Sequence, residues 1–165
     1  MKFAHFSDVH IGGWKEDKLN IMSTESFRQG IDKSIKENVA FVLIAGDLFN
    51  TALPNIDLIK EVSSILRKLK DNQVECYIIP GSHDFSPSGK TMIDVFENSG
   101  LVINVMKAER YEDSLKLNFT TDKTGVKLTG LYGKAKGLEK LDYDILDKTN
   151  LESEEGFKIF LFHHI

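Results

Sequence analysis

The order of apolar segments predicts an α/β fold, in which short buried strands alternate with longer amphipathic helices. Residues 39–45 form an uninterrupted apolar run of strand length, as expected for a strand that is buried on both faces. Apolar residues recur every three or four positions through residues 24–38 and 54–70, which is typical of one helix face. This strand–helix–strand order favours a parallel sheet with right-handed crossovers.

The first 104 residues contain four predicted strands and three predicted helices. Each strand is a short apolar segment that ends at glycine, proline or a polar residue: residues 2–6, 39–45, 73–79 and 101–104. The helices are residues 24–38, 54–70 and 91–98, of which the second begins at Pro54 and Asn55 and the third stops before Gly100. The stripe of the second helix begins at Ile56 and ends at Leu69.

The remaining residues follow a different pattern. Residues 116–121 and 126–131 alternate around a turn of Asp122, Lys123, Thr124 and Gly125, which predicts a hairpin. The acidic segment 139–155 is predicted to be a helix and a solvated loop, and residues 157–162 are predicted to form the last strand. We expect one domain over residues 1–165, truncated at its C-terminus, because the chain stops inside or just after an apolar strand.

Composition limits the function. Of the 165 residues 41% are apolar and 28% are charged, which suits one folded domain with a real core. The net charge of −4 excludes binding to nucleic acid by bulk positive charge alone and leaves a local basic groove possible. The single Cys76 excludes a disulfide framework and favours a reducing compartment. We expect a cytoplasmic protein with no signal peptide and no membrane segment.

Polar side chains that can bind metal follow four of the predicted strands. Asp8 and His10 follow the first, Asp47 follows the second, and His83 follows the third. His163 follows the last strand. Ligand sites in open α/β sheets lie beyond the carboxyl ends of the strands, so we expect these side chains to meet at one edge. A mixture of carboxylates and imidazoles suits divalent ions such as Mn²⁺, Fe²⁺ or Zn²⁺.

Each of these short motifs has an ordinary alternative when it is taken alone. Asp8 and Asp47 can be capping or turn carboxylates, and His10 can be a surface residue. His163 can be a buried strand residue. The shared site is favoured because all four motifs follow the carboxyl ends of their strands, which is an improbable coincidence for four unrelated motifs.

The amino-acid sequences of these motifs resemble those of the calcineurin-like metallophosphoesterases, and most closely those of the SbcD-type DNA double-strand-break repair nucleases. The motifs that carry the resemblance are Asp8-Val9-His10-Ile11-Gly12, Gly46-Asp47-Leu48-Phe49, Gly81-Ser82-His83-Asp84 and His163. The resemblance covers the chain from Met1 to Ile165. It implies a four-layer α/β/β/α sandwich that holds two divalent metal ions, usually Mn²⁺.

The resemblance also implies a role for each metal ligand. Asp8 and His10 would bind the first ion, and Asp47 would bridge both ions. His163 would bind the second ion, and Ser82 stands where the family normally has an asparagine ligand. A hydroxyl is a poorer ligand than an amide oxygen, so we expect the second ion to be held more loosely.

The same resemblance implies catalytic and substrate-binding positions. His83 would lie beside the scissile phosphate, and Asp84 would orient its ring. Asn50 stands where these nucleases often have a histidine, and Lys90 is a candidate for contact with substrate phosphate. The family's last motif, Gly-His-x-His, which supplies one ligand to each ion, is absent. We therefore expect the 165-residue chain to be inactive although its longer parent is active.

By resemblance, the function is that of a Mn²⁺-dependent phosphodiesterase, a DNA exo- or endonuclease acting at DNA ends in double-strand-break repair. The implied partners are DNA, a coiled-coil SMC-like ATPase and a second copy of the chain, which would meet it through helices 54–70 and 91–98. Two alternatives stay open: a small-molecule phosphoesterase of the same superfamily, and a non-catalytic scaffold with a vestigial metal site.

Overall fold

A computed structural model describes residues 1–86, 89–134 and 137–164 of the chain. The first hundred residues fold as an alternation of strands and helices, as predicted, and the four strands form a parallel sheet in the order β1-β2-β3-β4. The elements are β1 Ala4–Phe6, α1 Asp17–Lys36, β2 Phe41–Ala45, α2 Ile56–Asp71, β3 Glu75–Ile79, α3 Met92–Asn98 and β4 Ile103–Asn104.

Strand β2 shows why the sheet is covered on both faces. All five of its residues are buried, and successive side chains point to opposite sides. Val42 and Ile44 belong to a core that the helices share, whereas Phe41 and Leu43 belong to a second core on the other face of the sheet. The continuous apolar run therefore reflects two hydrophobic layers, as predicted.

A second sheet packs against that other face. Its central strand β8 (Lys127–Leu131) pairs in antiparallel fashion with β7 (Thr120–Thr121) and in parallel fashion with β10 (Lys158–Phe162). Leu128 and Leu161 from this sheet share the second core with β2. The Tyr77 hydroxyl of β3 also donates a 2.8 Å hydrogen bond to Asp122, so the two sheets are joined by a polar contact as well.

The prediction of one long strand over residues 116–121 is wrong. The segment is divided between two sheets, because only β7 joins the hairpin and β6 (Leu115–Asn118) pairs with β5 (Lys107–Arg110) and β9 (Leu146–Asp147). Leu115 and Leu117 pack in a third core beside Leu131. Two short helices complete the acidic segment, α4 Lys140–Asp144 and α5 Thr149–Ser153.

The architecture is therefore four layers: helices α1–α3, the first sheet, the second sheet, and a mixed layer of the third sheet with α4 and α5. The predicted stripe of α2 is buried from Val62 onward, whereas Ile59 is partly buried and Ile56 is 81% exposed. Asn55 caps this helix by accepting a hydrogen bond from the Leu58 N–H. Within the described residues, we find no helix that combines the length and the apolar character of a membrane span.

Candidate metal centre

The loops that follow β1 and β2 have an unusual backbone. Asp8, His10 and Asp47 have φ angles of 51°, 47° and 49°, in the left-handed region that residues other than glycine rarely adopt. Backbone hydrogen bonds join the two loops, including one of 2.9 Å from the His10 N–H to the Asp47 carbonyl. Such conformations are costly and persist where the surroundings over-determine them, which is common at functional sites.

These loops and the end of β10 bring four of the predicted ligands together. His163 Nε2 lies 3.3 Å from Asp8 Oδ1 and 3.4 Å from Asp47 Oδ2. His10 Nε2 lies 3.6 Å from Asp47 Oδ2 and 3.9 Å from Asp8 Oδ1. The first sheet therefore contributes three of these side chains and the second sheet contributes one.

Asp47 is common to two groups of possible metal ligands. In each group the candidate ligand atoms lie within 4.8 Å of one another: His10, Asp47 and His83 in one, and Asp8, Asp47 and His163 in the other. The resemblance instead assigned Asp8 and His10 to the same ion. Both divisions are compatible with one compact cluster, so the assignment of ligands to individual ions stays a prediction.

The residues present fit a divalent ion. The Nδ1 atoms of His10 and His163 are buried, and neither has a hydrogen-bond partner in the described part of the chain. Each ring also approaches both carboxylates of the cluster with its Nε2 atom. Neutral imidazoles and ionised carboxylates are the ligands that Mn²⁺, Fe²⁺ and Zn²⁺ accept, so the donor set is suited to such ions.

Three glycines leave room for the cluster. A Cβ atom on Gly46 would lie 2.2 Å from His163 Cδ2, and one on Gly133 would lie 2.2 Å from His163 Nδ1. A Cβ atom on Gly81 would lie 2.1 Å from Asp47 Oδ1. The His163 ring therefore rests against the backbone of both Gly46 and Gly133, and any side chain at these positions would displace a candidate ligand.

His83 stands beside this cluster with its side chain exposed. Its backbone N–H donates a 2.9 Å hydrogen bond to Asp47 Oδ1, and its ring packs edge-on against the His10 ring with centroids 5.0 Å apart. Its Nδ1 lies 2.9 Å from the Asn50 carbonyl oxygen. An Nδ1–H that donates to this carbonyl leaves Nε2 available for a metal or a substrate.

The amino-acid sequence matches a known protein family. The model of the calcineurin-like phosphoesterase family matches residues 1–165. The chain belongs to this family. The solved structure of TT1561 from Thermus thermophilus has the same fold, with a TM-score of 0.58 over 98% of this chain and 66% of that one, at 15% identity.

The curated relatives of this phosphoesterase include several archaeal DNA double-strand break repair proteins named Mre11. The chain is 31% identical to that of Archaeoglobus fulgidus over 116 residues, which cover 67% of this chain and 25% of the relative. It is 29% identical to that of Methanococcus maripaludis over 172 residues, which cover 99% of this chain and 43% of the relative. The chain thus spans less than half the length of either relative.

The prediction that Asp84 orients the His83 ring is wrong, since the Asn50 carbonyl is the ring's partner. Asp84 is instead buried and accepts backbone hydrogen bonds from three residues of this phosphoesterase: Gly81 (2.8 Å), Phe49 (3.2 Å) and Leu48 (3.4 Å). Burial raises the pKa of Asp84 above its ordinary value even though these N–H groups favour the charged form. Its role here is to lock the loop after β2 against the loop after β3.

The other predicted site residues lie around the cluster. Ser82 lines a cleft beside it, and within the described residues its hydroxyl makes no hydrogen bond to the cluster. Asn50 contributes its carbonyl, as described above. Lys90 is exposed on the loop before α3, where its backbone N–H donates to Ser86 Oγ at 3.1 Å. The ligand role of Ser82 and the substrate contacts of Asn50 and Lys90 stay predictions.

The sequence patterns did not predict two residues that support His163. Gly133 packs against its ring, and the buried carboxylate of Glu139 contacts both His164 and the Lys134 N–H. Glu139 therefore ties together the two segments that flank the His163 ring. A signal was available for Gly133, because it follows the end of the predicted strand 126–131 as the other site residues follow theirs. No residue pattern indicated Glu139.

Proposed function

We propose that this phosphoesterase hydrolyses phosphodiester bonds at DNA ends, in double-strand-break repair, with two divalent ions that we expect to be Mn²⁺. The observation that carries the proposal is the position of the Asp47 carboxylate, whose Oδ2 lies 3.6 Å from His10 Nε2 and 3.4 Å from His163 Nε2, since a carboxylate between two such ligands suits a two-metal centre. The similarity to the Mre11 repair proteins supports DNA as the substrate.

Asp8, His10, Asp47 and His163 would hold the ions, and Ser82 is the candidate for a weaker additional ligand. When bound, a pair of divalent ions polarises the phosphate and lowers the pKa of the attacking water. The buried carboxylate of Asp47 faces the imidazoles of both His10 and His163. The left-handed backbone at Asp8, His10 and Asp47 fixes these side chains before a ligand arrives, which reduces the ordering cost of binding.

His83 is suited to act on the substrate itself. With Nδ1–H donating to the Asn50 carbonyl, Nε2 can hold a proton and donate it to the leaving oxygen. The exposure of the side chain leaves this atom accessible to a bound phosphodiester. His83 is therefore the proposed catalytic acid, and the Asn50 carbonyl orients its ring.

The proposed partners follow from the relatives and from the surface. DNA is the proposed substrate, and a coiled-coil SMC-like ATPase is the proposed partner subunit. A second copy of the chain is proposed to bind at helices α2 and α3, where Leu53, Ile56 and Val95 are exposed. Burial of these apolar side chains would favour association.

The proposal is tested by comparing wild-type and Asp47→Asn protein on linear DNA in millimolar Mn²⁺. The experiment uses the 165-residue chain and the longer native protein that we expect. We expect the longer protein to cleave DNA, with activity falling by at least about 100-fold in the variant, because a bridging ligand matters at least as much as the groups that orient ligands. We expect no cleavage from the 165-residue chain.

The alternatives have distinct outcomes in the same experiment. Cleavage of a small phosphomonoester without cleavage of DNA would replace the proposal with a small-molecule phosphoesterase. Failure of the longer protein to bind Mn²⁺ by isothermal titration calorimetry would favour the scaffold. Equal activity of wild type and Asp47→Asn would show that the shared carboxylate is not part of the centre.

A further inference from the structure

A cleft of about 500 Å³ lies beside the metal cluster, between the loop after β3 and the segment after β8. We call it the aromatic cleft, and it is lined by Ser82, Phe85, Ser86, Gly89, Tyr132, Lys134 and Leu138. Its volume is in the range of pockets that hold small molecules, which is about 300–1,000 Å³. None of its side chains except Ser82 has a role in the proposed metal chemistry.

Two aromatic rings give the cleft its character. The rings of Phe85 and Tyr132 have centroids 5.0 Å apart at an angle of 53°, and both side chains are only partly buried. A backbone bridge between Phe85 and Thr91 holds Phe85 beside the start of α3. Partly exposed aromatic rings on a fixed backbone offer a stacking surface for a planar ring, and nucleobases stack on such surfaces with little dependence on sequence.

One lysine, Lys134, lines the cleft, and a second, Lys90, follows the lining residue Gly89 in the chain. Lys134 Nζ lies 5.2 Å from the centre of the Tyr132 ring and 2.6 Å from Asp142. Asp142 also contacts Arg110, and the buried Glu139 carboxylate accepts the Lys134 N–H, so two cations and two carboxylates meet on this wall. On the opposite loop, Lys90 forms no ion pair with any residue in the described part of the chain. Lys134 therefore gives the cleft a cationic group, although the whole chain is acidic.

The cleft adjoins the cluster along both walls. On one wall, Ser82 precedes His83, whose N–H is bonded to Asp47. On the other, Gly133 lies between Tyr132 and Lys134 and packs against the His163 ring. A phosphodiester held at the cluster would therefore place one of its neighbouring nucleosides at the mouth of the cleft.

We propose that the aromatic cleft binds the nucleoside next to the scissile phosphate, with its base stacked against Phe85 and Tyr132 and the adjoining phosphate near Lys134. This inference rests on the proposed function, which it deepens by assigning a base-binding subsite. Stacking explains how a chain with net charge −4 engages DNA, since part of the affinity comes from the base and not from bulk charge.

The test compares the wild-type longer native protein with its Tyr132→Leu variant. The substitution keeps apolar bulk and removes the aromatic face. The substrates are a short single-stranded oligonucleotide and the same oligonucleotide with abasic sugars on both sides of the cleaved bond. We expect abasic sugars to raise the wild-type KM by roughly 5- to 100-fold, as loss of base stacking does, and the ratio to fall toward one in the variant. Tyr111→Leu, at an exposed tyrosine outside the cleft, should keep the wild-type ratio.

A binding measurement separates failure of the subsite from failure of the proposed function. Isothermal titration calorimetry compares deoxyadenosine 5′-phosphate with 2-deoxyribose 5-phosphate in wild-type and Tyr132→Leu protein. We expect the nucleotide to bind more tightly to wild type, with the advantage lost in the variant. Equal affinity of wild type for both ligands, or an unchanged advantage in the variant, would overturn the subsite. A base-dependent affinity without DNA cleavage would support the subsite and overturn the nuclease.

Discussion

The two sheets of this phosphoesterase hold their parts of the candidate metal centre by different means. The first sheet fixes Asp8, His10 and Asp47 through the backbone, with left-handed φ angles and hydrogen bonds between loops. The second sheet supplies only His163, and its ring is held mainly by packing against Gly46 and Gly133. One part of the centre is thus fixed by backbone hydrogen bonding, and the other depends on the absence of side chains.

This difference predicts which substitutions the site tolerates. A backbone-fixed ligand is displaced only when the loop itself loosens, which also lowers the stability of the fold. A ligand held by packing is displaced by a single methyl group that leaves the rest of the fold intact. Substitutions in the backbone-fixed half should therefore lower the stability of the fold. Substitutions in the half held by packing should lower metal affinity and leave stability nearly unchanged.

The largest effect is expected from Asp84→Ala, which breaks the backbone-fixed half. Three backbone N–H groups would lose their acceptor, and the free energy of unfolding should fall by about 3 kcal/mol, since a buried unsatisfied donor costs about 1–3 kcal/mol. Urea denaturation measures this change, with Asp113→Ala, at an exposed carboxylate, as the control. A variant as stable as wild type would show that Asp84 does not fix these loops.

Gly133→Ala breaks the half that is held by packing. The added methyl group would collide with the His163 ring, so Mn²⁺ affinity measured by calorimetry should fall by up to about 100-fold. Gly125→Ala is the control, because a Cβ atom at Gly125 meets nothing within 4 Å and only its φ of +86° is strained. The interpretation fails if the control reduces metal affinity as much as Gly133→Ala does.

Glu139→Gln tests the half that holds His163 in a different way, because it adds no atom that would collide with the His163 ring. The amide keeps the shape of the side chain and removes the charge that faces His164, so Mn²⁺ affinity should fall by about 10-fold. Glu155→Gln, an exposed position, should leave the affinity unchanged. Unaltered affinity in Glu139→Gln would mean that Gly46 and Gly133 hold His163 without further support.

The smallest effect at the site is expected from Asp122→Asn, at the opposite end of β8 from Gly133. Burial opposes ionisation of Asp122, but hydrogen bonds from Thr124 and Tyr77 outweigh it and lower its pKa below the ordinary 3.8. Because the folded-state pKa is lowered, the contribution to stability is present above pH 3.8 and is lost as the pH falls through the folded-state value.

Removing this carboxylate should cost about 1.5 kcal/mol at pH 7, as expected for a hydrogen bond to a charged group, and should flatten the acid side of the stability profile. Thermal unfolding between pH 2 and 7 measures both quantities. Mn²⁺ affinity should not change, since Asp122 contacts no residue of the cluster. A loss of metal affinity here would show that the two ends of the second sheet are coupled.

The strand ends were predictable because the central strands of the first sheet carry a strong apolar signal. The third sheet was not, since all four residues of β5 are exposed and β9 has only two residues, which leaves no apolar alternation to detect. The first turns of α1 were missed because Ile21 and Met22 are exposed and break the apolar stripe. The partner of the His83 ring was beyond prediction, because a backbone carbonyl has no residue-type signature.

The two groups of ligands also differ in how much chain must be synthesised before they can form. His10, Asp47 and His83 all lie within the first half of the chain, on strands that follow one another directly. The pair Asp8 and His163 is separated by 155 positions, so it closes the longest loop in the site at the greatest entropic cost. During synthesis the first group can assemble while the ribosome is still translating β5 to β10. The described cluster is complete only when the last strand joins the second sheet, so a partly made chain would carry one group of candidate ligands without the other.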